Sequence, residues 1–191
     1  MEVIKMAKQF EALNSDRRNF IQRQNIFFVS SATANSRVNI SPREISALRI
    51  VDDHSVIYLD RTGSGNETAA HMRADGRLTL MFCAFSGLPQ IMRLYGTGTS
   101  IGWENTEFED LISQYYAGVT PLGTRQIMRL KFDLVQTSCG YGIPLFDYKG
   151  ERSAIENWHD NKGPDGIKSY WAQKNLSSMD GLPTGLKLNK D

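Results

Sequence analysis

This sequence of 191 residues lacks several features that define specialised classes of protein. It has no apolar run near the ~20 residues that cross a bilayer, and its first residues lack the long apolar stretch of a secretory signal. Basic residues number 22 and acidic residues 21, so the basic excess that nucleic-acid binding exploits is absent. We therefore expect a cytoplasmic protein whose partners include neither a membrane nor a nucleic acid.

Cysteine and histidine are also scarce. Cys83 and Cys139 have no framework spacing, so we expect two reduced thiols rather than a disulfide. Cys83 lies within an apolar run and is predicted to be a small core residue. His54 and His71 fall on a predicted turn and helix without metal-ligand spacing, so no metal site is predicted.

Hydrophobic periodicity predicts short strands, mostly linked as hairpins, with a few helices between them. The spacing of Met6, Phe10 and Leu13 predicts a first helix over residues 5–23. Strands are predicted at 26–29, 38–40, 47–51, 55–59, 77–85, 90–97 and 127–135, and further helices at 64–73, 105–116 and 164–174.

This order of elements indicates one mainly β domain over residues 1–191, built as a small antiparallel barrel with peripheral helices. Its expected parts are an N-terminal helix at 1–24, a barrel core at 25–137 and a loop-and-helix extension at 138–191. The regular β-α-β alternation of a doubly wound sheet is missing, which disfavours a Rossmann site.

The run at residues 58–68 combines a strand end, a glycine-bearing turn and a helix start, which is the pattern of an anion cradle. Arg61 would add a full charge. A ligand-free interpretation is also available, because Ser64 and Glu67 have the spacing of a capping box. Side-chain donors in the run are Thr62, Ser64, Asn66 and Thr68.

Four segments, taken in order, resemble the pyridoxamine 5′-phosphate oxidase-like family of FMN-binding split barrels. They are residues 38–43, 58–68, 77–85 and 93–96, and the resemblance covers about 20–145. The segment 138–144 is similar to a poorly characterised branch rather than to the oxidase proper. The resemblance implies a six-stranded split barrel, a homodimer and one FMN in each of two clefts between subunits.

The resemblance also implies a set of cofactor contacts. In the oxidases the turn before the helix carries serine, arginine and lysine for the FMN phosphate, whereas the matching residues here are Asn66, Glu67 and Thr68. An acid beside a dianion weakens binding unless Glu67 points away. Positive charge would then come from Arg43 and Arg61. Other expected contacts are Ser41 and Asp60 in the cleft, Gln90 and Arg93 at the ring, and Cys139 and Tyr141 in a covering segment.

The Arg-x-His element that the oxidases use for substrate phosphate does not occur in this chain, which argues against pyridoxamine phosphate oxidation. The leading hypothesis is an FMN-dependent oxidoreductase that passes hydride between flavin and a small organic substrate or reduced nicotinamide. No catalytic residue is identified, and Cys139 is either a redox thiol or inert. The alternatives are a non-catalytic module that stores or senses flavin, deazaflavin or haem, and a structural dimer without ligand.

Overall fold

Long antiparallel strands dominate the structure, a computed structural model that describes residues 7–188. In this part of the chain there are eight strands, four helices and one 3-10 turn, Ile45–Ala47. The strands are β1 Ala7–Phe10, β2 Ile26–Ser31, β3 Asn39–Glu44, β4 Leu48–Ile50, β5 Ser55–Arg61, β6 Arg77–Cys83, β7 Gln90–Gly102 and β8 Thr124–Cys139; the helices are α1 Ser15–Gln22, α2 Glu67–Ala74, α3 Thr106–Tyr115 and α4 Ala154–Lys174.

The strands form one sheet in the order β3-β2-β6-β7-β8-β5-β4, and β1 adds to β8. Every pairing in the sheet is antiparallel. The two end strands, β3 and β4, are joined by the single 3-10 turn, so the sheet curls into a half-barrel. This confirms the predicted mainly β antiparallel barrel with peripheral helices, although the described residues form eight strands instead of six.

Strand β5 is buried on both faces, which explains its continuous apolar sequence. Val56 and Tyr58 point into the main core of the barrel. Ile57 and Leu59 point the other way, into a second core under α3. Because side chains alternate along a strand, Asp60 follows Tyr58 to the inner side and Arg61 follows Leu59 to the outer side.

The predicted helix over residues 5–23 is wrong in its first half. Residues 7–10 form β1, which pairs with residues 135–138 of β8. The helix begins only at Ser15, where the Asn14 side chain accepts a hydrogen bond from Arg17 N at 3.0 Å. The helical spacing of the apolar residues was misleading, because residues 7–10 pair with β8 and the N-cap lies later, within the polar segment. Residues 5 and 6 lie outside the described residues.

The capping box predicted for Ser64 and Glu67 is also wrong. Helix α2 begins at Glu67 with Asn66 at the N-cap position, and the Asn66 side chain makes no capping hydrogen bond. Both oxygens of Glu67 instead accept the backbone N–H of Met179, each at 3.1 Å. The first N–H groups of α2 are therefore left without a side-chain cap.

Helix α4 is longer than the predicted helix at 164–174. It begins at Ala154 and is interrupted at Gly163, which has φ 64° and ψ 171°, before Pro164 starts the second half. The prediction thus found the second half, where proline at a first helical position was the signal.

Both cysteines are free thiols, and Cys83 is buried as predicted. Within residues 7–188, no helix is both long and apolar enough to span a bilayer.

Gly96 gives a test of the barrel geometry. A Cβ there would clash with the backbone oxygen of Lys131 and lie 2.5 Å from Phe132 Cα, at the point where the β7–β8 register shifts. We expect Gly96→Ala to lower the free energy of unfolding by about 1–3 kcal/mol, because the strands must move apart. The midpoint of urea unfolding measures this change.

The matched control is Gly142→Ala, because nothing lies within 4 Å of a Cβ built at Gly142. We expect it to change the free energy of unfolding by less than about 0.5 kcal/mol. Equal midpoints for the two variants would show that the strands are not so closely packed at Gly96.

Candidate functional site

A buried charge cluster centred on Asp60 lies at the end of β5. The Asp60 side chain is 1% exposed, and its Oδ1 accepts from Arg43 Nη2 at 3.1 Å. Its Oδ2 accepts from Arg125 Nη2 at 2.9 Å and from Gln126 Nε2 at 2.8 Å. One carboxylate is thus shared by two guanidinium groups and an amide.

Strand pairing positions this cluster. Gln126 lies opposite Asp60 in the β5–β8 register, and a register shift at this point leaves Arg125 as an extra residue whose side chain also reaches Asp60. Arg43 reaches it from β3. Burial by itself raises the pKa of Asp60, but the charges of Arg125 and Arg43 and the bond from Gln126 hold that pKa below its ordinary value. The cluster therefore has one surplus positive charge.

A cavity of about 400 Å³ opens beside this cluster, and we call it the cradle cavity. It brings together six of the residues predicted to bind a cofactor: Ser41, Arg43, Asp60, Ser64, Asn66 and Thr68. Its remaining lining residues are Asn39, Gly63, Gly65, Glu67, Arg125 and Met179.

Hydrogen-bond donors converge on the cradle cavity. The uncapped N-terminus of α2 forms one side. Asn39 Nδ2 donates to the hydroxyls of Ser41 and Thr68, both at 3.2 Å. Arg43 Nε is buried, and within the described residues it has no hydrogen-bond partner. These groups form a polar recess that is rich in hydrogen-bond donors.

The Tyr58 hydroxyl is buried close to the same charges and to Thr68, and within residues 7–188 it makes no hydrogen bond of normal geometry. Burial and the Asp60 carboxylate raise the pKa of Tyr58, so its hydroxyl stays protonated. It is therefore a neutral buried donor among these charges, although Tyr58 is not one of the residues that line the cradle cavity.

The chain after α4 covers the glycine turn. Asn66 Nδ2 donates to Asn175 O at 3.3 Å, and Asn175 Nδ2 donates to Gly63 O at 3.2 Å. Arg37 N donates to the Asp180 carboxylate at 2.8 Å, and the two side chains form an ion pair. Together with the bond from Met179 to Glu67, these contacts fasten the C-terminal segment over the cradle cavity.

The structure does not bring Arg61 or Thr62 into the cradle cavity. Arg61 pairs with Glu156 of α4 at 2.5 Å and bonds to His159 Nδ1 at 3.2 Å. Burial and the Arg61 charge lower the pKa of His159, which favours the neutral ring that accepts this bond. The Thr62 hydroxyl donates to Gly123 O and accepts from Trp171 Nε1, both at 2.8 Å.

Four other predicted contacts, Gln90, Arg93, Cys139 and Tyr141, line neither the cradle cavity nor the larger cavity beside Arg61. Gln90 faces Cys139 across the β7–β8 pair. Arg93 contacts the Ser138 hydroxyl at 3.4 Å, and Tyr141 is 84% exposed.

Four lining or supporting residues of the site were not predicted from the sequence: Arg125, Gln126, Asn39 and Met179. One signal was available, because Asp60 ends an apolar strand and a buried carboxylate requires cationic partners. That signal indicates a partner without locating it, since 65 residues separate Asp60 from Arg125.

Comparisons with known proteins place this site in a family context. The family model described as Pyridoxamine 5′-phosphate oxidase matches residues 13–139. The pyridoxamine 5′-phosphate oxidase family protein ustO of Aspergillus flavus is 36% identical over 193 residues, which covers 91% of this chain and 76% of that protein.

Solved structures support the same fold at low sequence identity. HupZ from Group A Streptococcus has a TM-score of 0.51 at 17% identity, covering 64% of this chain and 91% of that chain. A candidate pyridoxamine 5′-phosphate oxidase from Lactobacillus delbrueckii has a TM-score of 0.52 at 12% identity, covering 66% of this chain and 94% of that chain.

Replacing Asp60 tests the charge cluster. We expect Asp60→Asn to lower the free energy of unfolding by about 3–5 kcal/mol, because Arg43 and Arg125 would lose their shared carboxylate in a buried position. The control Asp53→Asn removes the surface pair with Arg18 and should cost less than about 1 kcal/mol. Urea unfolding at neutral pH measures both.

The pH dependence of the free energy of unfolding provides a second test, in which wild type is compared with Asp60→Asn. The folded pKa of Asp60 is lowered, so its stabilisation is present above the unfolded value of about 3.9 and is lost as pH falls through the folded pKa. The stability gap between wild type and Asp60→Asn should therefore shrink below about pH 4. A gap that stays constant under acid would contradict this account.

Proposed function

The chain belongs to the pyridoxamine 5′-phosphate oxidase family, and we propose on this premise that it binds FMN and acts as an FMN-dependent oxidoreductase on a small organic substrate. The observation that carries the proposal is the cradle cavity, in which two arginines and an uncapped helix N-terminus meet. These are groups that recognise phosphate.

The donor groups of the cradle cavity support a phosphate ligand. Its lining has two basic side chains, Arg43 and Arg125, and two acidic ones, Asp60 and Glu67, and the N-terminus of α2 adds a partial positive charge. The hydroxyls of Ser41 and Thr68 can add neutral hydrogen bonds from the walls.

Of the two acidic side chains in the lining, Asp60 is paired with Arg43 and Arg125, whereas the charge of Glu67 opposes an anion. Both of its oxygens are engaged by the backbone N–H of Met179, so the carboxylate is held against the C-terminal segment. This contact, rather than the capping box expected from the sequence, restrains the negative charge.

When bound, the flavin would supply the redox chemistry. The residues of this chain would hold its phosphate end. Asp60 would fix the two guanidinium groups in place, since both pair with the same carboxylate. The C-terminal segment at residues 175–180 would shield the turn from water through its bonds to Gly63, Asn66 and Glu67.

We also propose that the protein is a homodimer. Strand β3 is an end strand of the sheet, and its outward face exposes Ile40 and Pro42, with the exposed Val38 directly before the strand. Val38 and Ile40 are each 66% exposed. The opposite face of β3 lines the cradle cavity through Asn39, Ser41 and Arg43, so a second copy packed on β3 would stiffen the wall of the site.

Comparing FMN with riboflavin, which lacks the phosphate, tests the cradle cavity. We expect Arg43→Met to weaken FMN binding by about 10-fold to 100-fold, because a charge-assisted hydrogen bond contributes about 1.5–3 kcal/mol. Riboflavin affinity should change much less. The control is Arg77→Met, which removes an exposed arginine paired with Asp75 outside the cavity. Flavin fluorescence quenching measures the affinity of both ligands for wild type and for both variants.

A protein that purifies without flavin and gains no thermal stability from FMN would contradict the proposal. Bound flavin that neither reduced nicotinamide nor candidate substrates can reduce under anaerobic conditions would instead favour a storage module.

The exposed outward face of β3 allows a separate test of the dimer. We expect Ile40→Lys to convert dimer to monomer, because a charge would be buried at the centre of the interface. Leu88→Lys is the control, since Leu88 is 88% exposed on the β6–β7 turn. Light scattering after size-exclusion chromatography gives the mass. A wild-type monomer, or a dimer unaffected by Ile40→Lys, would contradict this assignment.

A further inference from the structure

A second cavity, of about 910 Å³, lies on the other side of Arg43. We call it the large cavity. Its walls come from residues 23–26, the end of β3, Arg61, the β6–β7 turn, the loop at 146–152 and the start of α4. The last two walls lie beyond residue 139, where the family match ends, so the cavity depends on a part of the chain outside that match.

Aromatic and aliphatic side chains form one side of the large cavity. The rings of Phe85 and Phe146 lie 5.3 Å apart, and Phe146 N donates to Phe85 O at 2.9 Å. Tyr148, Ile26 and Ile155 extend this surface. Phe146 and Tyr148 remain more than half exposed, which leaves apolar area available to a ligand.

Two arginines form the polar side. Arg43 and Arg61 both line the large cavity, and the Nε of each is buried without a hydrogen-bond partner among residues 7–188. The terminal nitrogens of Arg61 are already used by Glu156 and His159, and Arg43 Nη2 is used by Asp60. Each side chain thus keeps a buried Nε–H donor, which an anionic oxygen would satisfy.

The lining of the large cavity carries a small net positive charge. It has five basic and four acidic side chains, a surplus of one positive charge. A single carboxylate would neutralise this surplus.

We propose that the large cavity binds a small organic carboxylate with an aromatic or otherwise apolar body, with the carboxylate at Arg61 and Arg43. The body would pack on Phe85, Phe146 and Tyr148. Arg43 also lines the cradle cavity, so the ligand would lie next to the group held there. The role of this ligand rests on the proposed function: such a carboxylate would be the substrate of the flavoprotein.

Titration calorimetry with three matched probes tests the class of ligand. We expect phenylacetate to bind the wild-type protein at least tenfold more tightly than phenylacetamide, which has the same shape without the charge. Phenyl phosphate should also bind more weakly than phenylacetate. Equal affinity for the acid and the amide, or a preference for the phosphate, would overturn the proposal.

Two variants separate ligand binding from a structural role of the Arg61–Glu156 pair. Arg61→Met and Glu156→Gln both break that pair, so a purely structural role predicts the same effect from each. We expect Arg61→Met to weaken phenylacetate binding at least tenfold. Glu156→Gln should preserve or strengthen it, because Arg61 would keep its charge without a competing carboxylate. Parallel losses in both variants would overturn the assignment.

The flavin content of the same samples keeps this inference separate from the proposed function. Visible absorbance after FMN addition reports the cofactor, and calorimetry reports the carboxylate. Protein that takes up FMN but shows no preference for phenylacetate refutes the carboxylate site alone. Protein that prefers phenylacetate without taking up FMN supports the site and refutes the flavoprotein proposal.

Discussion

The buried carboxylate of Asp60 is the interaction on which the architecture of the site depends. It draws Arg43 from an end strand and Arg125 and Gln126 from the neighbouring strand, and Gln126 in turn donates to Asn66 on the glycine turn. Burying these charges is costly, and a well-packed apolar cluster could be as stable. The contribution of the ion cluster is to position side chains rather than to stabilise the fold, because it holds two guanidinium groups at the wall of a cavity.

The alternation of β5 turns two adjacent residues into parts of different sites. Asp60 points inward with Val56 and Tyr58, while Arg61 points outward with Ile57 and Leu59. Asp60 therefore supports the cradle cavity, and Arg61 lines the large cavity. Arg43 lies between them and contributes to both, so the occupants of the two cavities would influence each other through a single side chain.

Local patterns allowed much of the barrel to be predicted. The hairpins of β4–β5 and β6–β7 follow from alternating apolar residues around short turns, and α3 follows from a clear apolar face with Asn105 as its cap. Predictions that depended on competition with distant residues did not succeed. Glu67 has the capping-box spacing, but a backbone N–H 112 residues away takes its carboxylate. No local sequence pattern indicated that Arg125 belongs to the site, because only the pairing of β5 with β8 brings it to Asp60.

The C-terminal extension decides which polar groups of residues 58–68 remain free for a ligand. Trp171 occupies the Thr62 hydroxyl, Glu156 and His159 occupy Arg61, and Met179 occupies Glu67. These contacts engage two donors and one acid of the predicted anion cradle. The start of α2 with the restrained Glu67, Ser64, Thr68 and Arg43 line the cavity. The matched family region ends at residue 139, so it supplies the cradle. The extension beyond that residue determines which polar groups of the cradle stay free. The extension also provides the far wall of the large cavity.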